Sequence, residues 1–462
     1  MRLRVKGFVP TPKKIVDLMV RKLFAQRNPG NDVVLDPGCG TGAFIEGIIL
    51  WCKENGVPIP RVVGVEHDPH HLPDARTRFA RFSSVEIERR DFLVPDERKY
   101  DFIVGNPPYV PITELTEKEK RRYRLLYKTA RGRFDLYLLF FERAIRSLKP
   151  GGRLVFITPE KYVYVETAAP LRELLSTMRI EEIHFIPEDV FGELVTYPMI
   201  TVMAHEPGPS ATSVTFRNGK TAEVVLPVGG ASWLPILNGG MTKEPKSTLA
   251  DVCDRVSCGV ATGADSVFVF RTEVIPKTLR PFAYPTIAGR ELTPRVQEIR
   301  PSHSMLVPYD QSGRLFAESK LGALGEYLGG VEVKARLLRR TCVARKPWYA
   351  FHENPPLPDI LRPKILCKDI TERPRFWIDR AGSLVPRHSV YYITPKAPSR
   401  IDELLEYLRS EPAARWLEAN CQRAANGFLR LQSRALKQIP VPPRLVPKPI
   451  AGPDRGRTPL RV

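Results

Sequence analysis

The chain has 462 residues, 43% of them hydrophobic, so it can bury a large core and has room for two domains or three. Its net charge of +20 and pI near 9.7 suit a polyanionic partner, nucleic acid before membrane, because Lys and Arg neutralise phosphates and displace counterions. No apolar signal core follows the basic start Met1-Arg2-Leu3-Arg4 and no apolar run is long enough to span a bilayer, so a cytoplasmic protein of the prokaryotic cytosol or nucleoid, with no membrane partner, is expected.

Residues 15–24 carry apolar side chains at helical spacing. Val33-Val34-Leu35 reads as a buried strand feeding the glycine-rich loop Asp36-Pro37-Gly38-Cys39-Gly40-Thr41-Gly42, with a helix over 42–53. A second strand is expected at 62–65, ending at Glu66. A helix over 74–82 and a third strand at 85–88 lead to Asp91-Phe92, and a fourth strand at 102–104 ends at Asn106. An apolar helix over 136–148 is closed by the stop signal Lys149-Pro150-Gly151-Gly152. Strands at 154–157, 183–186 and 200–204 and a helix over 169–176 follow. Short apolar strands alternating with helices specify an α/β domain, a mostly parallel sheet covered on both faces.

The pattern changes at Glu206-Pro207-Gly208-Pro209. Beyond it Asn218-Gly219 marks a hairpin, and short strands mix with a few helices, notably 401–409 and 413–420. The boundary is therefore set at 206/207, giving domains 1–206 and 207–462. The 45 prolines favour short stiff loops, and the tail from Pro440 is rich in Pro and Arg. The seven cysteines are scattered and odd in number, which argues against a disulfide framework. Cys253 and Cys258 have no second pair at zinc spacing, so no metal is expected.

The chemistry concentrates at strand ends of the first domain. Glycines let a backbone approach a ligand closely, and ligands bind at the carboxyl ends of such strands. A glycine loop alone also suits dinucleotides. Asp36 at its start suits the ammonium or sulfonium of S-adenosylmethionine better than a pyrophosphate. Glu66 can accept both ribose hydroxyls, and Asp91-Phe92 is placed for an adenine amino group and ring face. Any one of these acids alone reads as a solvated loop charge; three at successive strand ends argue for one shared ligand.

Residues 106–109 read Asn-Pro-Pro-Tyr. The N6 lone pair of adenine is delocalised into the ring, so that nitrogen is a poor nucleophile. Hydrogen bonds from the amino group to the Asn106 side-chain oxygen and the Pro107 carbonyl localise the lone pair and stabilise the developing positive charge. Proline preorganises that carbonyl, and Tyr109 can stack on the base. The plain alternative is a Pro-Pro turn ending a strand.

In this order the motifs resemble the γ-class, TaqI-like amino-methyltransferases that act on adenine N6 in DNA. The likeness runs over about the whole chain and is strongest before residue 207. It implies a Rossmann-like, S-adenosylmethionine-dependent domain with a mixed seven-stranded sheet, followed by a mixed α+β target-recognition domain. It also implies a flipped-out adenine as substrate. Thr11-Pro12 is similar to the family's leading cofactor motif. The cofactor set becomes Thr11, Asp36, Gly38, Gly40, Gly42, Glu66, Asp91, Phe92, Asn106 and Phe140, the last following Phe134-Asp135-Leu136-Tyr137. On periodicity alone Phe140 reads as core. Phe191 is similar to the second aromatic of the base sandwich, with Tyr197 a rival.

The second domain carries a basic run, Lys334, Arg336, Arg339, Arg340, Arg345 and Lys346, followed by Trp348-Tyr349. A second stretch holds Arg423, Arg430, Arg434 and Lys437. DNA contact is the expected role of Arg336, Arg339, Arg340, Arg345, Lys346, Arg430 and Arg434, to phosphates for most and to base edges for one or two, the alternative being a solvated charged face. Residues 256–270, with Gly259, Thr262-Gly263 and Phe268, resemble the start of the family's recognition domain. Leu431-Gln432-Ser433 and Ile439-Pro440-Val441-Pro442 resemble its end.

Asn-Pro-Pro-Tyr also occurs in release-factor glutamine methyltransferases and some RNA guanine methylases, which do not require a large basic second domain. A non-catalytic DNA-binding subunit is the reading from a different class. Cytosine N4 chemistry usually starts with serine. A fused nuclease is not expected, because Pro95-Asp96-Glu97-Arg98-Lys99 is too compressed for a Pro-Asp…Glu-x-Lys array. The expectation is a monomeric modification enzyme acting on double-stranded DNA, with a separately encoded restriction endonuclease among its partners.

Overall fold

The computed structural model describes residues 9–187, 190, 197–208, 211–239, 246–295, 298–423 and 428–446. Its first unit, Met1–Leu237, is built on one sheet. In chain order come α1 (Lys13–Leu23), β1 (Val33–Pro37), α2 (Ala43–Glu54), β2 (Arg61–Glu66), α3 (Leu72–Phe79), β3 (Val85–Arg89) and β4 (Tyr100–Gly105). They are followed by α4 (Glu117–Leu126), α5 (Leu136–Ser147), β5 (Leu148–Pro159), α6 (Ala169–Leu175), β6 (Met178–Phe185), β7 (Pro198–Pro207), β8 (Ala211–Thr215) and β9 (Thr221–Val225). The strand order is β3-β2-β1-β4-β5-β7-β6-β8-β9. β1 to β5 pair in parallel, and β7 runs antiparallel between β5 and β6.

Period-two alternation sorts the apolar strand residues onto two faces. Val34, Phe102, Val104, Val155 and Ile157 pack in one core with Val16 and Val20 of α1 and Ile48 of α2. Their neighbours Leu35, Ile103, Leu154 and Phe156 belong to the other, with Phe141 of α5 and Leu171 of α6. Both faces are buried, as the continuous apolar runs in the sequence require.

Two expectations are corrected here. The sheet has nine strands rather than seven, and the first unit extends to Leu237 rather than to residue 206. The Pro-Gly run after Glu206 does not end the sheet. Beyond it β8 pairs in parallel with β6, Ile183 opposite Val214, and β9 returns antiparallel to β8. The hairpin at Asn218-Gly219 exists, but it extends the first sheet instead of opening a second domain. The segment after it reaches the first core through Trp233, whose buried ring lies 5.8 Å from that of Tyr162. The stop signal closes α5 at Ser147, as expected, and its residues then also serve the next strand. Lys149 to Gly152 are the leading residues of β5, with a register shift between Tyr100 and Phe102 on β4. A Cβ at Gly152 would lie 2.9 Å from the Asp101 carbonyl oxygen, so only glycine fits that approach.

The second unit, Asn238–Val462, is mixed α+β. Its strands are β10 (Cys253–Cys258), β11 (Val269–Arg271), β12 (Ala283–Ile287), β13 (His303–Leu306), β14 (Lys364–Lys368), β15 (Ile370–Thr371), β16 (Phe376–Asp379), β17 (Val385–Pro386), β18 (Val390–Pro395), β19 (Gln422–Arg423) and β20 (Leu429–Arg430). They form sheets ordered β10-β18-β14-β16, β11-β13-β12-β17 and β15-β20-β19. Helices Ile401–Leu408 and Glu411–Asn420 supply Leu404, Leu405 and Leu417 to the core over the first of these.

A buried ion pair joins β14 to the end of β16. Lys364 Nζ lies 2.5 Å from Asp379 Oδ2, and Asp379 also accepts from the Gly382 and Leu384 amides, each at 3.0 Å. Burial pulls the Lys364 pKa down and the Asp379 charge opposes it. Asp379→Ala leaves an unpaired buried ammonium and is expected to cost about 3–5 kcal/mol in urea unfolding. A loss below about 1 kcal/mol, the scale of an exposed pair, would show that the pair is not held away from water.

Candidate active site

The site follows from one pairing. β1 lies beside β4, with Val34 opposite Phe102 and Leu35 opposite Ile103. The loop after β1 and the loop after β4 therefore leave the sheet side by side, at the carboxyl edge where parallel sheets open a crevice. β2 and β3 end on the same edge.

The glycine loop is pinned by backbone bonds. Gly38 and Cys39 amides donate to the Val65 carbonyl at 2.7 and 2.9 Å, and the Gly40 amide donates to Glu66 Oε2 at 2.8 Å. Gly38, Gly40 and Gly42 have φ of 91°, 52° and 87°, which glycine adopts without strain. Gly42 is the N-cap of α2, and a Cβ there would lie 2.2 Å from the Phe79 ring.

Asp36 is fully buried and both carboxylate oxygens lack a hydrogen-bond partner among the described residues. It packs against Gly105, where a Cβ would lie 3.2 Å from Asp36 Oδ1. Burial, with the charge of Glu66 added, raises its pKa well above the ordinary value of 3.8. A buried acceptor without a donor is costly, so this carboxylate suits a cationic ligand group. Glu66 is also buried, and its Oε1 accepts from the Asp68 amide at 2.6 Å. Its two oxygens are thus oriented by backbone donors on both sides.

Asp91 is held more firmly than expected. Its Oδ1 accepts from the Leu93 amide at 2.9 Å and its Oδ2 from Arg122 of α4 at 2.5 Å. Arg122 escaped the sequence reading; the available signal was its place in the basic run 118–124. Phe92 is buried, its ring centroid 5.3 Å from that of Phe140. Phe140 also borders the glycine loop, 3.7 Å from where a Gly38 Cβ would sit. It is therefore both a core residue and a neighbour of the loop.

Asn106 is oriented by the Thr11 segment. Its Nδ2 donates to the Val9 carbonyl at 3.0 Å and to Thr11 Oγ1 at 3.1 Å, while Oδ1 is buried with no partner among the described residues. Both amide hydrogens are committed, so the open group is an acceptor. Pro107 is buried. The Tyr109 hydroxyl lies 3.5 Å from the Ile157 carbonyl, and its ring meets Tyr137 edge-on at 6.3 Å. Burial raises the Tyr109 pKa. Phe191 lies outside the described residues. Its rival Tyr197 is half-buried, with Arg217 over its ring at 5.4 Å.

The basic run of the second unit splits in two. Arg340 turns inward and donates to the carbonyls of Leu337, Thr262 and Trp348 at 3.1, 2.8 and 2.5 Å. Burial lowers its pKa. Lys346 donates to the His352 carbonyl at 2.9 Å and to Asn354 Oδ1 at 3.0 Å. These two hold loops together, so the expectation of phosphate contact is corrected for them. Arg336, Arg339 and Arg345 are exposed. Lys334 lies over the Trp348 ring at 4.8 Å. Arg430 is half-exposed near Asp369, 3.7 Å away, and Arg434 is exposed. The Arg423 side chain lies outside the described residues.

Residues 66–191, from the end of β2 through the Asn-Pro-Pro-Tyr loop, match the model of the Eco57I restriction-modification methylase family. The chain is 28% identical over 413 residues to the Type II methyltransferase M.XhoI of Xanthomonas vasicola, covering 79% of this chain and 72% of the relative. It is 25% identical over 503 residues to the Type II methyltransferase M.PaeR7I of Pseudomonas aeruginosa, covering 95% and 86%. Among solved structures, the Type IIL restriction-modification enzyme MmeI in complex with DNA superposes with a TM-score of 0.61 at 15% identity, covering 93% of this chain and 64% of that one. That likeness is one of fold. The unpartnered Asp36 carboxylate beside the glycine loop fits the cationic end of S-adenosylmethionine. Among the described residues no helix is long and apolar enough to cross a membrane.

Because the Asp36 pKa is raised on folding, the folded apo protein binds the extra proton. Stability conferred by that protonated carboxyl is present below the ordinary value of 3.8 and lost as pH rises toward the folded pKa. Asp36→Asn is expected to flatten that decline in apo unfolding curves and to weaken S-adenosylmethionine binding. An unchanged pH dependence would mean that Asp36 is solvated.

Proposed function

We propose that this restriction-modification DNA methyltransferase acts on the exocyclic N6 of a flipped-out adenine. The observation that carries the reading is Asn106, with both Nδ2 hydrogens committed to the Thr11 segment and Oδ1 buried and unpartnered at the end of β4. An acceptor fixed in that way suits an incoming amino group.

Bound S-adenosylmethionine supplies the electrophilic methyl group. Asp36 would hold its cationic end, Glu66 would accept its ribose hydroxyls with the lone pairs left free by the backbone donors, and Asp91 with Phe92 and Phe140 would border its adenine. The glycines at 38, 40 and 42 let the backbone approach. For the substrate base, Asn106 Oδ1 and the Pro107 carbonyl accept from N6, localising the lone pair as positive charge develops. Tyr109 stacks on the extruded base, and an aromatic from the Phe191 region closes the other face. The acceptors raise the nucleophilicity of N6, and orientation does the rest, so no strong base is needed. A duplex base reaches such a pocket only by leaving the stack.

Arg336, Arg339, Arg345, Arg430 and Arg434 contact phosphates of double-stranded DNA. The chain acts as a monomer in the cytoplasm, as the modification arm opposite a separately encoded restriction endonuclease. The pair of acceptors at 106–107 by itself suits any planar amino group, a glutamine side chain included, which keeps a release-factor substrate as the second reading.

Labelled S-adenosylmethionine with unmethylated genomic DNA is expected to place label in N6-methyladenine. Label in RNA or a release factor instead would overturn the substrate, and label nowhere would favour a binding subunit. Asn106→Ala is expected to lower methyl transfer by about a hundredfold or more with cofactor binding retained; a near wild-type rate would remove Asn106 from the amino-group grip. Arg339→Ala is expected to lower the salt slope of duplex binding by about one. Arg340→Ala is expected to lower the unfolding midpoint instead, and an unchanged midpoint would contradict its inward role.

A further inference from the structure

Between the Asn-Pro-Pro-Tyr loop and α5 the chain makes a closed excursion, residues 112–133. Its base is zipped beside the catalytic loop by two backbone bonds, Ile112 N to the Phe134 carbonyl at 3.0 Å and Leu136 N to the Val110 carbonyl at 2.9 Å. Within it α4 begins at a capping box formed by Thr116 and Glu119. Its inner face is anchored. Tyr123 and Tyr127 are buried, the Tyr127 hydroxyl donates to the Leu93 carbonyl at 2.8 Å, and Arg122 binds Asp91. The far end is held by Glu142, which accepts from the Lys128 and Thr129 amides at 3.1 and 2.8 Å.

The outer face differs in character. Lys118, Arg121 and Arg124 stand at i, i+3 and i+6, which places them within about a third of the helix circumference. Lys128, Arg131 and Arg133 continue the series toward α5. All six are exposed, and among the described residues none has a carboxylate within ion-pair distance. The nearby acids are engaged elsewhere: Glu117 pairs with Lys120, and Glu119 closes the capping box. Glu117 is felt by Arg121 and Arg124 but is already paired with Lys120, so the ridge, which follows shortly after the Asn-Pro-Pro-Tyr loop, keeps a net positive charge that suits a polyanion.

We propose that the outer face of α4 and the segment to residue 133 form a phosphate clamp that grips the strand carrying the target base. The ridge holds the backbone at the site of chemistry, independently of the basic patches of the second unit. Its charge also disfavours a protein substrate at this site. Through Arg122 and Asp91, the same helix is tied to the strand end assigned to the cofactor.

This inference rests on the reading of DNA as substrate. The test uses the full chain and a duplex oligonucleotide containing the methylated site, with affinity measured over a salt series. The triple variant Lys118→Ala, Arg121→Ala, Arg124→Ala is expected to lower the slope of log affinity against log salt by about two to three, near 0.9 for each phosphate no longer neutralised. It is expected to raise KM for DNA while kcat at saturating DNA and S-adenosylmethionine affinity stay at wild-type values. The charge-preserving variant Lys118→Arg, Arg121→Lys, Arg124→Lys is expected to keep the wild-type slope. A wild-type chain that binds duplex with a slope shared by the alanine variant overturns the clamp alone. A wild-type chain that binds no duplex overturns both the clamp and the substrate reading.

Discussion

The contact between β1 and β4 is the constraint on which the site depends. It is the point where the strand order reverses direction, with β2 and β3 on one side and β5 onward on the other. Because the two strands are parallel neighbours, an acid at the end of one and an amide at the end of the other open onto the same crevice. The fit is tight: Gly105 stands against the Asp36 carboxylate with no room for a larger side chain to pass without displacing it. Asp36 and Asn106 are separated by about seventy positions in sequence and by about one strand spacing across the sheet.

Around this contact, polar groups are either committed or conspicuously open. Glu66 and Asp91 are oriented by amides and by Arg122, and the Asn106 nitrogen by Val9 and Thr11. Asp36 and the Asn106 oxygen are buried acceptors with no donor among the described residues. Leaving such groups unpaired opposes folding, and the pattern is sensible where a ligand provides the donors. The same sorting operates among the cations. Arg340 and Lys346 satisfy carbonyls inside the second unit, while Arg336, Arg339 and the outer residues of α4 keep their charge toward solvent.

Most of the first sheet was legible because its apolar strands are short, bounded by glycine or acid, and separated by helical spacing. The Pro-Gly run at 207–209 misled because a connection inside a sheet and a linker between domains have the same composition; pairing of β8 with β6 is a long-range fact. The stop signal does close α5 at Ser147, but Gly152 also serves the close approach of β5 to β4, a contact that composition does not reveal. In the second unit, adjacency in sequence suggested one basic surface. Arg339 and Arg340 point to different fates because Leu337 is buried and the chain turns immediately after it.

The sequence by itself determined the chemistry on offer: the acids at three strand ends, the glycine loop, the Asn-Pro-Pro-Tyr acceptors and the excess of positive charge. These are properties of residue type and local order, which spacing preserves. Tertiary structure alone decided which groups remain open. The commitment of the Asn106 nitrogen to Val9 and Thr11, of Asp91 to Arg122 and of Arg340 to three carbonyls depends on partners distant along the chain or on a turn that local propensity does not specify. A hydrogen bond is satisfied by geometry, and that geometry is set only when the sheet and its loops are assembled.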